Sequence, residues 1–387
     1  MMKRIHPTAL IASIALTFSA AASGQTVYVV DDDGGAGVDF TSIQAAVDAS
    51  VAGDRIDVRN GSYGPVTVDV GVTIMAEGDR ALILGLTIAN VPPGEVLALT
   101  DFDYIRDLRL RDNQGAVILD SVPVVYGNLW IERSTDVRIA KIQRASLLLA
   151  IDSFVQTTDC YFQSGVYAGR SSFTASDCTL KGQWGGIGQV TGIGMCDTPP
   201  GGPGVVVADH SHVRLLRTRV SGGLGASPCF GGPSGPTGIA IEVDPTSRVD
   251  RCKVLHFHDP VQYPGSDAII VNPGGSYNVI DDLPSMELLG AAAIGQVAEF
   301  RCLAEAGSSA RVFLGRRVAM TSVLPSLPLL HTAERGASIG AMPPSESRLL
   351  PFTIPALTRG TMIHAQMSRT LSGGQTELSN SVTLIVR

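Results

Sequence analysis

Ser153-Phe154-Val155-Gln156-Thr157-Thr158-Asp159-Cys160-Tyr161-Phe162 is followed, 18 residues on, by Ser171-Ser172-Phe173-Thr174-Ala175-Ser176-Asp177-Cys178-Thr179-Leu180. The two stretches share Ser, an alternating apolar run, and Asp-Cys at the same positions. The pattern returns as Ser211-His212-Val213-Arg214-Leu215-Leu216-Arg217-Thr218-Arg219-Val220 and, more loosely, from Ser247 through Val249 to Cys252. Where the interval grows to 40 and then 36 residues, Gly/Pro-rich stretches supply the excess. Strands this short, with no hairpin turn between copies, cannot bury a face alone. Stacked as coils, they place alternate apolar residues in one continuous core, which is the logic of a β-solenoid. The register predicts Cys160 and Cys178 on consecutive coils at equivalent positions, separated by about the ~4.8 Å interstrand spacing.

Upstream, short apolar segments recur without intervening helices: Val66-Thr67-Val68, Val72-Thr73-Ile74, Leu82-Ile83-Leu84, Leu86-Thr87-Ile88, Leu129 to Ile131, and Val137 to Ile142. Before them, Val27 to Val30 reads as a strand and Asp31-Asp32-Asp33-Gly34-Gly35 as a turn, solvated rather than a calcium loop. Thr41 with Gln44 three residues later has the form of a capping box. Ile43, Ala46 and Val47 then give one short helix a single apolar face. Met1 to Pro7 carries Lys3, Arg4 and His6 ahead of an apolar run to Ala22, the layout of a secretory signal peptide over 1–24. The run is shorter than the ~20 residues of a spanning helix, and no other run is longer, so no membrane span is expected in the mature chain. The expected setting is secreted, periplasmic or cell-surface.

Composition agrees with an all-β chain. Of 387 residues, 44% are apolar, which rules out a disordered chain, and 43 are glycine, which points to many turns and away from helix bundles. The formal charge of -7, with no basic stripe, argues against nucleic acid as a partner. Near residue 283 the coil motif stops. Alternating segments at Ala298 to Leu303, Ala310 to Leu314, Leu349 to Ile354, Thr361 to Met367 and Ser381 to Val386 predict a small antiparallel β-sandwich over 284–387, behind a solenoid over 25–283.

Asp39-Phe40-Thr41-Ser42-Ile43-Gln44-Ala45-Ala46-Val47-Asp48, then Gly53-Asp54-Arg55-Ile56-Asp57-Val58 and Gly61-Ser62-Tyr63, resemble the N-terminal cap and first coil of right-handed parallel β-helix proteins of the pectin-lyase-like superfamily. The resemblance covers residues 25 to 280 and implies a helix covering the open edge of the first coil. It implies no single chemistry, because that superfamily includes lyases, hydrolases, esterases and exported proteins without known activity. The chain's ending is similar to C-terminal modules of exported bacterial proteins of planctomycete type. The expected function is binding of a polysaccharide or a cell-surface protein without catalysis and without a cofactor. The alternative is a polysaccharide lyase or related carbohydrate-active enzyme.

Under that alternative, proteins resembling pectate lyases use calcium-binding Asp residues and an Arg or Lys base. Asp209, His210, Arg217 and Arg219 are the nearest match here, with Arg217 and Arg219 also the first choice for binding an anionic ligand. Alternation along an extended strand would put Arg217 and Arg219 on one face and Arg214 on the other. The polygalacturonase pattern needs an Asp pair beside Gly-His-Gly; Asp281-Asp282 is the only later pair and no Gly-His-Gly exists. His210/His212 and His256/His258 are His-x-His pairs that could share a strand face; His256 and His258 are weak metal candidates. Of six cysteines, Cys196 and Cys229 lie in Gly/Pro-rich excursions, where a crosslink gains most order, and are the expected disulfide. Cys160 and Cys178 are expected as buried thiols, and the pairing of Cys252 and Cys302 stays open.

Overall fold

The computed structural model describes residues 25–387 except 79, 187–188, 191–195, 198, 228–233, 253–254, 257–268, 281–283, 290–295, 316–320, 325–326, 330–334, 343–346, 355–356, 358, 372–375 and 387. The chain folds as two compact units, one carrying Gly24–Leu283 and the other Pro284–Arg317 with Thr321–Arg387.

The first unit is a parallel β-helix. Each coil begins with a strand in an 11-stranded parallel sheet, here the first face, which runs from Val27–Val30 to Ser276–Val279. The coil then supplies one strand to a second face and one to a third, as in Phe154–Thr158, Tyr161–Phe162 and Val166–Gly169. Tyr104–Arg111 and Val124–Glu132 are long enough to run through both later faces and join them into one 16-stranded sheet. Pairing is parallel and mostly in register, so like side chains stack: Val137, Val155, Phe173, Val213 and Val249 all point inward and are buried. The expected position of the cysteines holds. Thr158 pairs with Ser176 and Tyr161 with Thr179, which sets Cys160 directly over Cys178 on the next coil.

From Asn90 to Arg217 the chain turns at two corners of successive coils through a residue with a left-handed backbone. After the first face these residues are Asp101, Ser121, Lys141, Asp159, Asp177 and Arg217; after the third they include Asn90, Asp112, Arg133, Asp152, Arg170 and Asp209. The residue behind each corner explains the recurrent serines and cysteines. Behind the third-face corner, the Ser134 N–H donates to Ser153 Oγ at 3.1 Å, Ser153 N–H to Ser171 Oγ at 3.1 Å, Ser171 N–H to Ser211 Oγ at 3.0 Å and Ser211 N–H to Ser247 Oγ at 3.0 Å. Each of the middle hydroxyls also donates to a carbonyl of its own coil, Ser153 to Ile151 and Ser171 to Gly169. Buried Asn113 starts this column, accepting from Val91 N–H and donating to Ile88 O and Ser134 Oγ. Behind the first-face corner, Cys160 Sγ and Cys178 Sγ donate to the carbonyls of Thr158 and Ser176, and Thr218 Oγ1 does the same to Leu216. These thiols are satisfied, buried and unbridged. Burial pushes the Cys160 thiol well above its ordinary range, as suits a structural rather than a reactive thiol.

The helix Ile43–Ala49 buries Ile43, Ala46 and Val47 against the first coils, as its spacing predicts. Its cap is shifted by one residue from the expected capping box. Ser42, not Thr41, accepts from Ala45 N–H, and Gln44 instead ties the helix to the solenoid by accepting from Thr67 N–H at 2.7 Å. The turn Asp31 to Asp33 is pinned by protein groups: Asp31 pairs with Arg59 at 3.2 Å and Asp32 accepts from Ser62 N–H at 2.9 Å.

The second unit is antiparallel. Ser285–Leu289, Val297–Leu303 and Ser347–Thr353 form one sheet; Arg335–Ala341, Ser309–Gly315, Met362–Thr370 and Thr376–Ile385 form another. Phe300, Cys302 and Phe352 from the first share one core with Val312, Leu314, Ile363, Met367 and Leu384 from the second, the packing of a small sandwich.

Candidate functional site

The charged residues of the solenoid include some that hold corners, some left to face solvent and a few buried within the first face. At the third-face corner, acid and base alternate from coil to coil. Asp112 pairs with Arg133 at 2.6 Å, Asp152 with Arg170 at 2.7 Å, and Arg170 reaches on to Asp209 at 3.5 Å. The Arg133 guanidinium lowers the Asp112 carboxyl and the Arg170 guanidinium lowers that of Asp152. A left-handed backbone costs a non-glycine residue about 1–2 kcal/mol, and the arginines are found there because the neighbouring coil supplies an anion for each. Arg217 is the same device at the other corner: its φ is 46° and its guanidinium holds Asp177 through two bonds, one of 2.7 Å.

That placement separates the four residues expected to act together. Asp209 and His210 form a left-handed corner behind the third face, with the His210 N–H donating to Thr246 Oγ1. Arg217 turns the first-face corner, and Arg219 lies beyond it on the second face, exposed and in register with Thr179. Arg217 and Arg219 do not alternate along one strand, because the corner falls between them and Thr218 is buried there. Arg214 sits on the first face beside Thr174 and Asp250. His256 is the last residue of a second-face strand. His258, Asp259, Asp281, Asp282 and Cys229 lie outside the described residues, as does the side chain of Cys196, so the expected disulfide and the His256/His258 pair do too. Among the described residues no cluster of three or more His, Cys, Asp or Glu could hold a metal ion, and no helix is long and apolar enough to cross a membrane.

On the third face the outward side chains form a column that sequence reasoning passed over. Thr87, Arg109, Trp130, Leu149, Tyr167 and Val206 are neighbours in register on six successive coils. Thr87, Arg109, Arg111, Trp130 and Glu132 line a cleft of about 350 Å³. Leu129 and Ile131 are fully buried, so the strand's alternation turns Trp130 outward, where it is only half-buried. Arg109 and Arg111 are two apart on one strand and share that outward face; both are exposed and neither makes an ion pair among the described residues. Glu132 is engaged by Arg133 at 3.6 Å.

No family model, curated protein or solved structure matches the chain. The cleft therefore has to be read from its own chemistry. An indole beside two guanidiniums of the preceding coil offers a flat apolar surface for a ring and a fork for a carboxylate or sulfate. The apolar continuation through Leu149 and Tyr167 allows an extended ligand to lie along the solenoid axis.

A second polar cluster lies on the outward side of the first face. Asp250 accepts from Arg248 Nε at 2.7 Å, from Asn278 Nδ2 at 2.9 Å, and meets His212 Nε2 at 2.8 Å. Burial of Asp250 raises its pKa, but the hydrogen bonds from His212, Arg248 and Asn278 outweigh it and hold the carboxyl well below the ordinary range. Asp136 and Arg138, also buried, make a two-bond pair on the same face. Asp250 thus fastens neighbouring coils, whereas the Asp136–Arg138 pair lies within a single strand.

Proposed function

We propose that this chain is an exported, cell-surface or periplasmic β-helix protein, of the kind found in the pectin-lyase-like superfamily, whose solenoid binds an acidic polysaccharide without cleaving it. The observation that supports the reading is the Trp130 cleft. Arg109 and Arg111 are the exposed cations beside an outward aromatic ring, on a surface that repeats every ~4.8 Å along the axis. Arg217, by contrast, is tied to Asp177 and holds a corner, so the anionic contact is assigned to Arg109 and Arg111. A rigid backbone ladder lowers the ordering cost of binding a long, stiff ligand.

Calorimetric titration with polygalacturonate tests it. Arg109→Ala with Arg111→Ala should weaken binding at least tenfold and flatten its dependence on salt, since the contact is ionic, with the melting temperature unchanged. Unaltered affinity in that double variant would remove the cleft from the reading. Calcium-dependent release of unsaturated product, followed by absorbance, would overturn the non-catalytic part and promote the lyase alternative.

A further inference from the structure

Two Gly/Pro-rich excursions, described only in part, leave the solenoid between the second and third faces. Near the solenoid they fold on one another as four extended segments: 182–186 going out and 199–204 returning, then 222–227 going out and 234–239 returning. They are not β-strands, and their hydrogen bonds recur every third residue. Gly182 and Gly185 N–H donate to Ser221 and Leu224 O; Gly201 and Gly204 N–H donate to Pro236 and Ile239 O. Across the bundle, Gly223 and Ala226 N–H donate to Gly202 and Pro199 O, and Gly235 and Gly238 N–H to Ala226 and Gly223 O. A repeat of three with hydrogen bonds only between segments belongs to the polyproline-II helix. The glycines stand three apart because they fill the middle of the bundle. A Cβ on Gly182 would run into the Gly202 carbonyl, one on Gly222 into that of Gly238, and one on Gly225 into that of Gly235.

With backbone filling most of the interior, the side chains of the bundle lie outside it, apart from the buried methyl group of Ala226. The four segments carry no Asp, Glu, Lys, Arg or His in a chain with 17% charged residues. What they present is Gln183, Trp184, Pro200, Ser227, Ser234 and Pro236, all exposed, with Trp184 at 50%. A tryptophan held in water on a platform with little conformational entropy to lose is a docking group. An indole face stacks on the C–H face of a pyranose, while amide and hydroxyl groups serve its hydroxyls, and the lack of charge disfavours an acidic sugar. We propose that the bundle is a second docking surface, whose occupant is a neutral polysaccharide stacked on Trp184. This surface is separate from the Trp130 cleft and does not depend on that reading.

The chain has two tryptophans, Trp130 and Trp184, so each surface can be watched alone. In the Trp130→Phe protein, cello-, manno- and xylohexaose are added in turn while Trp184 emission is followed. At least one should shift or quench the emission, and Trp184→Ala should weaken binding of that sugar at least tenfold by calorimetry. Gly225→Ala, which disturbs the bundle's interior without touching the cleft, should abolish the neutral-sugar response and leave the polygalacturonate response of Trp130 intact. Failure of all three sugars to move Trp184 emission overturns the proposal, as does unchanged affinity in Trp184→Ala. Burial of Trp184 through concentration-dependent self-association, seen by sedimentation without any sugar response, would assign the surface to a second copy instead.

Discussion

The solenoid unit stacks polypeptide in two ways that share little beyond direction. In the coils the repeat is two residues: side chains alternate inward and outward, and Val, Leu, Ile and Phe fill the middle. In the excursions the repeat is three, and glycine lets the backbones themselves fill the middle. The first arrangement draws its stability from apolar burial. The second has almost no apolar interior and rests on hydrogen bonds and close backbone approach, so it persists only where every third residue lacks a side chain. Coils therefore tolerate polar change on their outer side, and the excursions tolerate almost none on their inner side.

The largest effect that separates the two should come from the coil core. Phe173 is fully buried between Val155 and Val213 on adjacent coils. Phe173→Ala should cost about 3–5 kcal/mol in urea unfolding, the range for truncating a buried aromatic. A loss under about 1 kcal/mol would mean that the stacked interior is not where the stability resides. Next is the buried column behind the third-face corner. Asn113→Ala removes the acceptor of the Val91 N–H and the donor to Ile88 O and Ser134 Oγ and should cost about 2–3 kcal/mol. Asn113→Ser, which restores the residue type of the following coils, should recover part of it.

A more local effect is expected in the excursions. Gly225→Ala introduces a methyl group against the Gly235 carbonyl and should cost about 1–3 kcal/mol, as overpacking does. Hydrogen exchange should place the loss in the segments 182–186, 199–204, 222–227 and 234–239 and leave the coil strands, including those at 205–221, protected. Uniform loss of protection through all coils would show that the bundle and the solenoid are one cooperative unit.

These regions also differ in how much the sequence discloses. The coil register is legible because Ser153/Ser171 and Cys160/Cys178 repeat in matching company, and both residue types cap a carbonyl two residues back on these two coils. The helix face is legible from Ile43, Ala46 and Val47, although Ser42 rather than Thr41 makes the cap: both residues can cap, and only the tertiary approach of Thr67 to Gln44 decides. Corner arginines carry no sequence signal, since Arg217 in a left-handed turn looks like Arg217 in a strand until Asp177 is set beside it by the neighbouring coil. Trp130 escapes notice for a related reason: its strand reads only as part of the stack, whereas the burial of Leu129 and Ile131 requires the indole to face out. In the excursions the spacing of Gly182/Gly185, Gly222/Gly225 and Gly235/Gly238 is in plain view. It has meaning only when another segment lies close enough to exclude a Cβ, and until then such glycines read as freedom.

The smallest effect uses acid to separate the same two regions. Asp250 joins three consecutive strands of the first face by accepting from Arg248 on its own strand and Asn278 on the next, and by meeting His212 on the one before. Its folded pKa lies below the unfolded carboxylate value of about 3.9. A depressed carboxyl contributes stability that is fully present above the unfolded value and is lost as pH falls below it toward the folded one. The corner carboxylates Asp112 and Asp152 are depressed in the same direction, but they are exposed and add little. Between neutral pH and pH 5 these carboxylates should therefore contribute no change in stability. Below about pH 4 the coils should lose stability toward urea, and Asp250→Asn should flatten that acid limb. The bundle has no titratable side chain in its four segments, so in the Trp130→Phe protein the emission of Trp184 should stay constant through the pH range in which the coils weaken, until the coils unfold. A Trp184 transition already present near pH 5, before any loss of coil structure by circular dichroism, would show that the bundle depends on a charged group outside those segments.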